Sequence, residues 1–224
     1  MKRTKLADRA LPDYTRGEEI FNMVSHIVGG ALAVAALVLC VAFAAVHRNP
    51  WGIGIGIVYG ITMIVLYTMS SIYHGLSPRL ATKKVFQVID HCAIFLLIAG
   101  TYTPYTLCVL RPDDPKLGWG IFALVWGVSV LGIVLNAIDL DRFAVFSMVC
   151  YLGLGWCIIA AIKPLVRLLH PTALWLLVAG GIAYTVGAVA YGAGNKIRYM
   201  HSVFHLFVVA GSALHFLSIL LYVM

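Results

Sequence analysis

The chain has 224 residues, of which 62% are hydrophobic and only 11% charged, with a mean hydropathy of +0.94. That balance leaves too little polar surface for a water-soluble domain and points to an all-α integral membrane protein, with room for about seven spans of some twenty residues each and no soluble domain. The net charge of +7 does not indicate nucleic acid as a partner, because the basic residues lie between apolar runs, where they set topology and meet lipid headgroups.

Taken in order, residues 1–18 read as a charged juxtamembrane arm carrying Lys2, Arg3, Lys5, Arg9 and Arg16, and residues 19–224 as one membrane domain. The segment up to Glu19 is polar, so no cleavable signal peptide is expected. Glu19, Asn22, and Ser25 or His26 then recur at helical spacing and form one polar stripe leading into the first span, 27–46. The stripe is either a solvated lead-in or the wall of a polar cavity. The second span, 51–73, ends in Ser70-Ser-Ile-Tyr-His74, where Ser70 and His74 share a face one turn apart; Gly75 and Pro78 stop it, and Lys83 and Lys84 mark a loop. The third span, 86–110, carries Asp90.

Four more spans are expected at 118–136, 143–162, 172–192 and 201–223, the fourth and fifth joined by a turn at Asp139-Leu-Asp141-Arg142. The last opens on His201-Ser-Val-Phe-His205. Pairs such as Gly54 and Gly56, or Gly180 and Gly181, read as close helix contacts. The five cysteines all fall in apolar runs without a CxxC pair, so a disulfide framework is not expected.

Eleven of the sixteen Lys and Arg residues fall in the arm and in the loops after spans two, four and six, which predicts a cytoplasmic N-terminus and an external C-terminus. This orientation puts His74, Asp90, His201 and His205 at one depth. Imidazoles at i and i+4 stand above each other on a helix and can reach one metal ion. Three neutral histidines around Zn²⁺ leave a fourth position for water, whose pKa the ion lowers toward 7. Asp90 is the one acidic residue carried into an apolar run. A carboxylate inside a span faces a partner as a rule, so Asp90 is expected either to take the water's proton or to ligate the ion. Ser70 is expected to hydrogen-bond the carboxylate, the water or an oxyanion. His215 lies ten residues beyond His205, about 15 Å along a helix, too far for the same ion; a hydrogen bond to a neighbouring helix is expected. His91 points away from Asp90 and reads as packing or support.

These residues resemble a family. Ser70-Ser-Ile-Tyr-His74, the run from Asp90 to Pro104, and His201-Ser-Val-Phe-His205 look like the three signatures of the bacterial hemolysin III proteins, which are related to the progestin and adipoQ receptors and more remotely to the alkaline ceramidases. Glu19-Ile-Phe-Asn22 with Ser25-His26 looks like that family's N-terminal motif. The resemblance implies a seven-transmembrane-helix bundle in a bacterial inner (plasma) membrane, N-terminus inside, with zinc on His74, His201 and His205 and with Ser70 and Asp90 as polar partners of its water. The leading expectation is a zinc-dependent hydrolase of a membrane lipid amide or ester. Two other classes stay open: a receptor-like or regulatory membrane protein with structural zinc, and a cytolytic, hemolysin-like or transport protein.

Overall fold

The computed structural model describes residues 4–194 and 196–224, with Ala7 described by its backbone alone; Lys2 and Arg3 of the arm lie outside them. All regular structure among the described residues is helical. A short 3₁₀ turn (Leu6–Asp8) precedes α1 (Arg16–Val46). Thr15 starts α1 by a capping box: its hydroxyl accepts from the Glu18 N–H (3.2 Å) and the Glu18 carboxylate accepts from the Thr15 N–H (2.8 Å). Two donors that a helix start leaves orphaned are thereby satisfied. The helix thus begins well before residue 27, and the Glu19 stripe is part of it.

Arg48, at φ 53°, turns the chain through the left-handed region. Asn49 then caps α2 (Pro50–Gly75), its side chain accepting from the Gly52 N–H (2.9 Å), with Pro50 at a position that has no N–H to lose. α3 (Ala81–Pro104) runs on into a π-helical turn (Tyr105–Leu110) and α4 (Arg111–Asp113). Pro104 cannot donate into the ladder, and the wider turn follows directly. Asp114 accepts from the N–H groups of Lys116 (3.0 Å) and Leu117 (3.1 Å) to cap α5 (Pro115–Trp156). A 3₁₀ segment (Cys157–Ala161), α6 (Ile162–Leu168), α7 (Pro171–Ala193) and α8 (Met200–Tyr222) complete the chain.

Among the described residues, six helical stretches are long and apolar enough to cross a membrane, not the seven expected. The reason is the fourth stretch, Pro115–Leu168, whose 54 residues would extend about 80 Å if straight, against a hydrocarbon core of about 30 Å. It is not straight. Asp139 has extended backbone angles (φ −161°, ψ 94°). The Ser147 hydroxyl donates to the side-chain oxygen of Asn136 at 2.6 Å, although residues eleven apart on one continuous helix would stand about 16 Å apart. The chain therefore reverses at Asp139, whose carboxylate accepts from the Arg142 N–H (3.2 Å) and caps the returning arm of the hairpin. The two arms abut with a one-residue break, so a count of continuous helices merges them.

The helices close a ring: α1 packs on α2, α2 on α3, α3 on α5, α7 on α8, and α8 back on α1, while α5 and α7 touch only thinly. Asn22, Ser70, Ser129 and Asn136 are turned inward, and Val46, Val145, Trp175 and Val189 outward. That distribution suits lipid as the solvent, since polar groups can find partners only inside. Of the glycines expected at helix contacts, Gly56 approaches Cys40 and Gly180 lies flat against the His215 ring, where a Cβ would collide; Gly54 faces open space and has no such role. The cysteines are all free.

Candidate metal centre

His74 sits in the last turn of α2, and His201 and His205 on one face at the start of α8, so the site lies where α2 ends and α8 begins. All three are buried, and one ring nitrogen from each lies within 4.8 Å of the other two. The register of α8 is fixed at its start: Tyr199, at φ 63°, donates its N–H to the Glu18 carboxylate (2.6 Å), which also faces Arg198 (3.7 Å). The residue that caps α1 therefore also locks α8 beside it.

On His74 and His205 the opposite ring nitrogens have partners that set the tautomers. Glu19 accepts from His74 Nδ1 at 2.6 Å, so that nitrogen carries the hydrogen and Nε2 presents a lone pair. His74 Nε2 is buried and has no hydrogen-bond partner among the described residues. Ser25 donates its hydroxyl to the Asn22 carbonyl (3.0 Å), which leaves its oxygen to accept from His205 Nδ1 at 3.5 Å. His205 Nε2 faces His201 Nε2 at 3.1 Å. Two such nitrogens need a proton or a cation between them. A proton shared by one pair would still strand the lone pair of His74, whereas one cation satisfies all three. At 3.1 Å this pair is close to the roughly 3.3–3.4 Å that separates nitrogen ligands about 2.0–2.1 Å from a tetrahedral ion, and the His74 nitrogen lies within 4.8 Å of both. The donor set fits a metal ion.

The polar stripe of α1 faces this site rather than water. Besides Glu19 and Ser25, Asn22 accepts from the Ser202 hydroxyl at 2.7 Å, and His26 stacks on His205 with ring centroids 3.7 Å apart and planes at 21°. Lys83 departs from its expected place. It belongs to the first turn of α3 rather than to a loop, and only 1% of it is exposed. Its ammonium pairs with Glu19 (2.8 Å) and donates to the carbonyls of Tyr73 (2.8 Å) and Leu76 (2.9 Å) at the end of α2. One carboxylate thus joins α1, α2 and α3 through a histidine and a lysine. Carboxylates behind metal-ligating histidines orient the ring and raise its basicity, and their loss typically weakens metal binding about 10–100-fold. Glu19→Gln is expected to weaken binding by that factor in a chelator competition, with the fold unchanged by circular dichroism.

Asp90 is buried on α3, outside the 4.8 Å set, and its carboxylate stands 3.8 Å from His91 Nδ1. Ser70 and Asp90 line, with His205, a cavity of about 480 Å³ walled largely by α3, α5, α7 and α8, with α1 and α2 contributing His26 and Ser70. Of the three partners open to Ser70, the Asp90 carboxylate is not hydrogen-bonded to it among the described residues; the two line the same cavity. His91 lines it too, held by the Gln87 carbonyl (2.8 Å) and the Tyr191 hydroxyl (3.3 Å). His215 bonds the Leu177 carbonyl of α7 (3.0 Å), as a support between helices. One aromatic residue of the site carries no signal in the sequence. Tyr14, from the arm, stacks on His201 with centroids 4.8 Å apart and planes at 23°, and its ring centroid lies 5.9 Å from that of His74. Burial, with Tyr191, Glu19 and Asp90 nearby, pushes its phenol well above the ordinary value, so it stays neutral.

The sequence matches the profile described as Haemolysin-III related over residues 14–216. It is 40% identical over 208 residues to the Hemolysin-3 of Bacillus cereus, covering 92% of each chain. It is 38% identical to the Hemolysin-3 homolog of Bacillus subtilis (strain 168), covering 93% of this chain and 96% of the relative. Similarity extends to the human monocyte to macrophage differentiation factor, at 24% identity over 89% of this chain and 79% of that protein.

Proposed function

We propose that this chain, which belongs to the haemolysin-III-related family, is a multi-pass membrane protein that holds Zn²⁺ on its three-histidine cluster and hydrolyses an amide or ester bond of a membrane lipid. The observation that carries this reading is a converging set of three nitrogens beside a cavity that also holds a carboxylate outside that set. Borderline-soft Zn²⁺ suits an all-imidazole set.

When bound, the ion supplies Lewis acidity and makes water a nucleophile near neutral pH. The chain's own residues do the rest. The cavity receives the acyl part of the substrate and excludes bulk water. Asp90 takes the proton of the attacking water as its oxygen bonds to the carbonyl carbon, then passes that proton to the leaving nitrogen or oxygen as the old bond breaks. Ser70 faces the same space and donates to the oxygen that gains charge. Glu19, backed by Lys83, keeps His74 in its binding tautomer. The test is turnover of a labelled panel of ceramides and other acyl lipids by zinc-loaded protein in nanodiscs; zinc-loaded protein that releases no product from any of them would exclude a hydrolase.

The hairpin at Asp139 supports counting Pro115–Leu168 as two crossings, which brings the proposed total to seven. An odd number puts the termini on opposite faces, and the distribution of Lys and Arg favours a cytoplasmic N-terminus. A reporter fused after Met224 is expected to be active only in its extracytoplasmic form. Cytoplasmic behaviour would mean either six crossings or the reverse orientation.

A further inference from the structure

The arm has no apolar span of its own to bury, yet it is bound at three places. The Thr4 N–H donates to the Asp139 carboxylate at 2.8 Å, and Arg9 pairs with Asp141 at 3.4 Å. Both acceptors belong to the reversal of the α5 hairpin. Arg9 is only 5% exposed, an unusual state for an arginine in a segment of so little regular structure. The third attachment is Tyr14 on the face of His201, fixed from behind by the capping box at Thr15 and Glu18 and by the Glu18 contact to α8. The arm therefore runs from the α5 turn, across the end of the bundle where α2 stops and α8 starts, to the first turn of α1.

We propose that residues 4–15 form a strap that closes the end of the bundle over the three histidines, with Tyr14 as its seal and as the positioning residue for the His201 ring. The site is then walled off from water at that end and communicates with the cavity that Asp90, Ser70 and His205 line. A ring stacked on a ligand's face holds its plane and covers the ion's approach, and neither task uses the phenol hydroxyl. Tyr14 makes no hydrogen bond through that hydroxyl among the described residues, in keeping with a role for the ring alone. The strap rests on the metal reading only for its purpose; its geometry is independent of any ion.

Two readouts separate the strap from the metal. The first is the rate at which excess chelator removes zinc from detergent-solubilised protein. Tyr14→Ala is expected to speed removal about 3- to 10-fold, the scale of a lost aromatic contact, at unchanged starting zinc content. Tyr14→Phe, which keeps the ring, should match wild type, and Arg9→Ala should fall between. The second needs no metal: in a Ser202→Cys background, alkylation by a polar maleimide, measured above that of the native cysteines, should rise in Tyr14→Ala and Arg9→Ala but not in Tyr14→Phe. Alkylation equal in all four proteins would overturn the strap even if zinc is bound. Absence of zinc from wild type would overturn the metal reading and leave alkylation to decide the strap.

Discussion

Replacing His74, His201 or His205 by Ala is expected to cost the protein most of its zinc, in each case from about one ion per chain to a small residue, because two imidazoles seldom hold zinc against water. The loss should exceed the roughly 10–100-fold weakening expected when an outer partner such as Glu19 is changed. The three variants should behave alike, since each removes one of three nitrogens that lie within 4.8 Å of one another. His215→Ala supplies the control. His215 is equally buried and on the same helix, but its ring bonds the Leu177 carbonyl (3.0 Å) and stands about 15 Å along α8 from His205. Its replacement removes a bond between α8 and α7 and opens space beside Gly180, and should lower stability while retaining the ion. Metal analysis of the four purified variants checks this, and equal loss in all four would remove the assignment.

The second large effect concerns Asp90→Asn, which should keep zinc and lower the turnover of a susceptible lipid about 10²–10⁴-fold, the usual contribution of a general base. Two observations point this way. Asp90 lies outside the set of converging ligand atoms, and it faces the cavity with His91 3.8 Å away. Asn preserves the shape of the side chain but cannot accept and return a proton. Ser70→Ala should cost less, because its hydroxyl bonds neither Asp90 nor any other described residue and is free to act only on what enters the cavity. Loss of zinc in Asp90→Asn would instead make Asp90 a fourth ligand and the site structural.

The three-histidine cluster is legible in the sequence because each histidine sits at a helical repeat within or beside an apolar run, where a polar side chain is costly unless it meets a partner. Asp90 stands out for the same reason. What stays hidden depends on which face a side chain meets. Glu19, Asn22, Ser25 and His26 read as one stripe, but only the packing of α1 against α8 turns that stripe inward. Lys83 reads as a loop residue because it follows Pro78 and adjoins Lys84; its burial arises from the carbonyls at the end of α2, which no local pattern announces. Tyr14 is one aromatic residue in a charged segment, and nothing in its spacing distinguishes it. The turn at Asp139 lies where the charged cluster between two apolar runs puts it, yet the helical arms meet there so closely that continuous helices number one fewer than the expected spans.

X-ray absorption at the zinc edge, on the zinc-loaded wild-type protein and on Asp90→Asn, tests the metal centre most directly. Three imidazole nitrogens at about 2.0–2.1 Å with one further oxygen from solvent, and the same coordination in both proteins, are predicted. A carboxylate ligand in the wild type that disappears in Asp90→Asn, or a wild-type protein that takes up no zinc, would contradict it.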